Sequence, residues 1–172
     1  MEETLGLEER FKQLIIGQMR KQVGQPLRST LGPDWPVEVN FGLARWQRID
    51  RSRYQVCNAD AALGFRFDQT GRATVTMTSL TFNEPASMLD AMVEALLRQL
   101  TFSVRPETES LLEQYPAIRH GTNLISICGQ VTESAGQIGV FYIGANSHEV
   151  SLLNYLIETP WPVGYQFIFK KQ

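Results

Sequence analysis

The stretch PDWPVEVNFGLA, residues 33–44, is where the hydrophobic period of this chain changes. From Trp35 onward, Val37, Val39, Phe41 and Leu43 alternate with Glu38, Asn40, Gly42 and Ala44. A period of two puts alternate side chains on opposite sides of an extended backbone, so this segment reads as a half-buried strand. The preceding residues obey a different rule. In GLEERFKQLIIGQMRKQVGQPLRSTLG, residues 6–32, Leu7, Phe11, Leu14, Ile15 and Met19 fall on one helical stripe, with Glu8, Glu9, Arg10, Lys12 and Arg20 mostly off it. An amphipathic helix over 7–31 is expected, with Pro26 as a kink and Gly32-Pro33 as its stop.

The Trp-Pro-Val core returns at 161–163, in TPWPVGY. Proline ends a helix and pushes the residue before it into extended geometry. Both copies therefore read as helix-to-strand hinges, with Trp35 and Trp161 covering the helix ends. The second opens a terminal strand over 164–170, with Tyr165, Phe167 and Phe169 on one face.

Between the hinges, AALGFRF (61–67) and RATVTMTSLTF (72–82) alternate on either side of DQTG, a hairpin signal. NEPASMLDAMVEALLRQL (83–100) reads as a helix capped by Asn83, with Met88, Met92, Leu96 and Leu100 in one row and Leu89, Val93 and Leu97 in the next. A short helix is expected in PETESLLEQY (106–115). NLISICGQV (123–131) and QIGVFYIG (137–144) form a second hairpin around TESAG, and a helix is expected over 147–157 behind an Asn146 cap. The order is α-β-β-β-α-(α)-β-β-α-β. It implies a single α+β domain over 1–172, in which an N-terminal helical region (1–32) precedes an antiparallel sheet of five to six strands with helices packed on a face.

At 172 residues the chain is long enough to bury about 70% of its unfolded surface without disulfide or metal staples. No apolar run approaches the ~20 residues that span a bilayer. The acidic start, MEETLGLEER, lacks the order of a signal peptide, and two cysteines suit a reducing compartment, so a cytoplasmic location is expected. Residues 1–53 carry nine Lys/Arg against seven Asp/Glu, and the remainder seven against eleven.

The densest concentration of binding chemistry is ARWQRIDRSRY, where Arg45, Arg48, Arg51 and Arg53 interleave with Trp46 and Tyr54. Arg and aromatic side chains together suit either a protein interface or a stacked, phosphate-bearing strand. Asp50 dilutes the cluster and the net charge of −2 argues against nucleic acid. Met88 and Met92 offer a second partner surface, because Met adapts to flexible apolar ligands; ordinary core packing competes with that reading. His120, His148, Cys57 and Cys128 are the candidates for catalysis in a pocket between sheet and helices, but none has a nucleophile, base or carboxylate at a telling spacing. Glu107, Glu109 and Glu113 read as the solvated side of a short helix. No catalytic residue, cofactor or metal is assigned.

The order helix, three strands, helix, two strands, helix over 7–157 resembles the type III secretion chaperones. Those are small cytoplasmic proteins, usually dimeric, that bind extended client segments. The helix at 106–115 and the strand at 164–170 depart from that order, the family is generally more acidic, and no functional residue carries over. The resemblance implies client binding. Together with the Arg/Trp loop, it favours a non-enzymatic protein-binding or assembly role, using exposed sheet edges and forming homo-oligomers, over a small-molecule pocket or nucleic-acid binding through 45–53.

Overall fold

The computed structural model describes residues 27–46, 67–131, 137–143 and 150–172, and the single positions 13, 16, 17, 50, 52, 54 and 55. Most of the N-terminal helix expected over 7–31 and the strand expected over 61–67 lie outside them. The described chain is of the α+β class. Its strands are β1 (Ser29–Leu31), β2 (Trp35–Asn40), β3 (Arg72–Phe82), β4 (Ala86–Ser87), β5 (Leu100–Thr101), β6 (Leu124–Val131), β7 (Gln137–Ile143), β8 (Ser151–Leu156), β9 (Pro160–Trp161) and β10 (Gln166–Lys171). Helix α1 (Met88–Leu97) and helix α2 (Arg105–Gln114) complete the set.

The main sheet runs β1-β3-β10-β6-β7-β8, with β2 also on β3 and β5 on the end of β10. Its pairs are antiparallel except β10 with β6, which is parallel. The terminal strand is thus a central element. Its alternation has two buried sides: Phe167 and Phe169 join one core, Ile168 the other. β3 divides in the same way, Leu80 and Phe82 against Met77. Helix α1 lays Met88, Leu89 and Met92 on the first face, over Ile125 and Ile127. Helix α2 lays Leu111 and Leu112 on the second, over Val37, Val39 and Leu124. The two helices therefore cover opposite faces of one sheet.

Three segments differ from the sequence expectation, each for a physical reason. Ser29–Leu31 is strand rather than helix end, because Gly32-Pro33 marks a bulge. Leu31 pairs with Leu80 and Trp35 with Met77, so three residues, 32–34, face two, 78–79. Gly32 donates to the Ser79 carbonyl at 2.8 Å, and the Thr78 hydroxyl donates to the carbonyls of Gly32 (3.2 Å) and Pro33 (3.1 Å). β1 and β2 are therefore one strand with a kink, at the edge of the sheet among the described strands.

Helix α1 starts four residues after the Glu84 expected in its first turn. Ser87, not Asn83, is the cap: its hydroxyl accepts from Asp90 N–H at 3.1 Å, and the Asp90 carboxylate accepts from Ser87 N–H at 2.8 Å. The helix expected over 147–157 is instead strand β8, paired with β7 from Gln137↔Leu156 to Tyr142↔Ser151. Ser-Leu-Leu-Asn-Tyr-Leu is compatible with either state, and the edge of β7 decides it. Neither Trp-Pro-Val copy follows a helix. Trp35 opens β2 across the bulge, while Trp161 sits in the two-residue β9, paired with β4 and 5.3 Å from the Tyr165 ring.

A Cβ at Gly32 would lie 2.2 Å from the buried Ser79 Oγ. Gly32→Ala is expected to destabilise the fold by about 1–3 kcal/mol in urea denaturation, the usual cost of overpacking. Gly32→Ala combined with Ser79→Ala should recover much of that loss, because the Ser79 hydroxyl makes no hydrogen bond. A purely additive double mutant would contradict the contact.

Candidate functional site

Helix α2, RPETESLLEQ, is polar, yet residues 105–112 are all buried. Arg105 is 2% exposed and Glu109 6%. The reading of Glu107 and Glu109 as a solvated face is therefore overturned, and only Glu113 is exposed. Such burial is tolerable only where each charge finds a partner. Glu107 receives Lys170 Nζ at 2.8 Å from β10 and the Val104 N–H at 2.8 Å, closing the start of the helix. Ser103, Thr108 and Ser126 form a closed triangle of hydroxyls at 2.8–2.9 Å between helix and sheet.

The other half of the network meets the Arg/Trp loop. Arg105 lies 3.6 Å from Glu109, one turn along the helix, and donates to the Trp46 carbonyl at 2.5 Å. The Tyr54 hydroxyl donates to Glu109. Trp46, in a 3-10 turn over Ala44–Trp46, is buried and donates Nε1–H to the Asn40 carbonyl at 2.9 Å. Its ring lies under the Arg45 guanidinium at 4.2 Å and near that of Arg105 at 5.4 Å. Arg45 itself forks onto Glu113, at 2.9 and 3.0 Å. Of the loop residues singled out from sequence, Arg45, Trp46 and Tyr54 thus serve as a cover for α2.

Met88 and Met92 are both 0% exposed, packed against the sheet, which corrects their reading as a partner surface. Arg48, Arg51, Arg53, Cys57 and His148 lie outside the described residues, and Cys128 is described only as part of β6. His120 is exposed after the 3-10 turn Pro116–Arg119. No group of three or more His, Cys, Asp or Glu that could hold a metal occurs among the described residues. No helix among them is long and apolar enough to cross a membrane.

An open groove of about 680 Å3 lies at the far end of β2 and β3, lined by Glu38, Asn40, Arg72, Thr74 and Gln114 among others. His120 does not line it. At its margin, Gln114 Oε1 accepts from Glu38 N–H at 3.0 Å, and Gln114 Nε2 donates to the Glu38 carbonyl at 2.7 Å. No protein-family model, curated protein or solved structure matches this chain. Its site must be read from geometry alone.

Sequence reasoning missed Arg105, Glu107, Glu109 and Gln114. No local signal pointed to them, because their partners, such as Lys170 on β10 for Glu107, are set by the sheet and not by the sequence around them.

Burial, and then the Glu109 carboxylate, push the Tyr54 phenol well above its ordinary value near 10. The unfolded chain ionises Tyr54 at about pH 10 while the folded chain keeps it neutral, so the native state holds the extra proton. Stability should therefore be intact below pH 10 and fall above it, by about 1.4 kcal/mol per pH unit from this group. Tyr54→Phe should remove that increment from the pH dependence of urea midpoints between pH 10 and 11.5; an unchanged slope would refute the assignment.

Separately, Arg105→Ala, which strands Glu109, should cost about 3–5 kcal/mol, whereas Arg105→Met with Glu109→Leu should cost much less. Chemical denaturation of the three chains checks this.

Proposed function

We propose that this chain acts by binding another protein, as a partner-holding or assembly domain. One observation carries the reading. Helix α1 buries nearly all of its apolar residues but leaves Leu96 48% and Leu97 61% exposed at its last turn. Leu31, on the neighbouring edge strand, is 37% exposed. The elements are fixed together: Ser29 Oγ donates to Glu94 Oε1 at 2.7 Å, and Arg98 donates to Glu94 at 2.6 Å and to Ser29 Oγ at 2.8 Å. The three leucines are thus carried on adjoining elements that these polar groups pin together. Exposed apolar side chains on a pinned scaffold are what a protein interface needs.

Two other readings draw less support. Nucleic-acid binding through 45–53 is weakened because Arg45 is already neutralised by Glu113 and Trp46 is buried, unable to stack on a base. A small-molecule site has the edge groove to offer, but that groove is open and His120 does not line it.

The test is native co-purification and crosslinking of the full chain, alongside Leu96→Asp and Leu97→Asp. A stoichiometric partner, or self-association, lost in the variants by tenfold or more is the expected result. Both leucines are largely exposed, so chemical denaturation should register changes of only about 0.5 kcal/mol. Failure to find any partner or oligomer, or capture indifferent to both substitutions, would remove the reading.

A further inference from the structure

We propose that the apolar stripe of this chain's own N-terminal segment, Leu7, Phe11, Leu14, Ile15 and Met19, seats on helix α1 over Val93. The proposal does not rest on the leucine surface, although Leu97, one turn beyond Val93, lies at the margin of the seat.

Val93 is 0% exposed, yet it packs into neither apolar cluster of the described residues. Met88, Met92 and Ala95 meet the sheet in the first cluster. Val93 follows Met92 by about 100° of helix turn, so it points away from that contact. In its own row, Leu89 is closed by the first cluster and Leu97 is 61% exposed. Apolar chain from outside the described residues therefore lies beside α1 and closes Val93. Four stretches compete for that place. Residues 47–66 are held on the other face of the sheet: Trp46 meets Arg105, Tyr54 donates to Glu109, Gln55 N–H donates to the Val150 carbonyl, and Phe67 packs with the second cluster. Residues 144–149 lead into Val150, in that same cluster. Residues 132–136, Thr-Glu-Ser-Ala-Gly, have no apolar side chain larger than Ala135. The N-terminal segment is the one that remains.

Three independent observations fit it to the seat. It joins the described chain at Leu27, which packs against the first cluster, and two residues later Ser29 Oγ donates to Glu94, the neighbour of Val93. Gln13, Ile16 and Gly17 are helical and exposed, Ile16 to 41% although it is apolar. Their spacing of three and four puts them on one side of the helix, opposite the stripe of Leu7, Phe11, Leu14, Ile15 and Met19. The side turned to water is thus fixed, and the stripe is turned inward. The lengths also agree. The stripe runs about 18 Å from Leu7 to Met19, beside a helix α1 about 15 Å long. Residues 20–26 extend to roughly 23 Å, enough to pass over a helix about 10 Å wide. That short tether favours the segment of the same chain over one from a second copy, because it holds the stripe at high local concentration.

Thiol labelling of Val93→Cys in the full chain, read peptide by peptide by mass spectrometry, tests this. With the stripe intact the introduced thiol should be shielded, and equally so at every protein concentration. Adding Phe11→Asp and Ile15→Asp should speed its labelling by about tenfold or more, because a charged stripe does not seat on an apolar one. Ile16→Asp, on the exposed side, should leave the thiol shielded. A thermal melt checks that each variant is folded. Phe11→Ala with Ile15→Ala is the milder pair if the aspartates unfold the chain, and it should move labelling in the same direction. Shielding that survives the stripe substitutions in a folded chain would show that another segment covers Val93. Shielding lost on dilution would assign the stripe to a second copy, and free labelling with the stripe intact would show that nothing is seated there. Any of these three results overturns the proposal.

Discussion

Everything on the second face of the sheet depends on the burial of one charged helix. Arg105, Glu107 and Glu109 occupy the first turns of α2 and are almost wholly out of water. Ions in that position are costly enough that each must be met by a partner in good geometry. Lys170 from the central strand, the Val104 N–H, the Tyr54 hydroxyl and the Trp46 carbonyl are those partners. They come from parts of the chain far apart in sequence, so the helix ties the C-terminal strand and the loop after β2 into one arrangement. A wholly apolar helix would have packed as firmly. The polar one specifies which strand and which loop it packs beside.

The same helix governs the edge. By lying across β2 on one face, it brings Gln114 and Tyr115 to the outer margin of that strand, where they meet Glu38 and Pro36. Trp46, held from below by Arg105, meets Asn40. The packing of α2 therefore determines both how the Arg/Trp loop is spent and how the first sheet edge is covered. Exposed edges were the surface expected to hold a partner. On β2 the edge is occupied by the protein's own side chains, and the apolar exposure lies elsewhere, at the end of α1.

What was legible in the residues follows from how locally each signal is generated. The alternation of Val37 and Val39, the long run of β3, and the hairpin of β6 and β7 arise from periodicity within one segment, and each appears as expected; of the expected helix rows, Met88, Met92, Leu89 and Val93 are buried on α1, while Leu96 and Leu97 are exposed and Leu100 lies in β5. Gly32-Pro33 was recognised as a break but not as a bulge, because a bulge is defined by the partner strand. The residues Ser151–Leu156 carry no period strong enough to choose between helix and strand, and the neighbouring β7 chooses. Met88 and Met92 satisfy the pattern for core and for a binding surface equally; only their position over the sheet separates the two.

By itself, then, the amino-acid order determined the α+β class, the strands β2, β3, β6, β7 and β10 and the buried side of α1, since backbone sterics and side-chain spacing act over a few residues. Tertiary structure alone decided that the last strand is central and runs parallel to β6, that the helices lie on opposite faces, and that three charges of α2 are buried. It also decided that Arg45, Trp46 and Tyr54 cover that helix. The reason is common to all of these: pairing, burial and charge compensation are relations between distant segments, and a residue such as Glu109 or Gln114 has no local feature that says which partner it will meet.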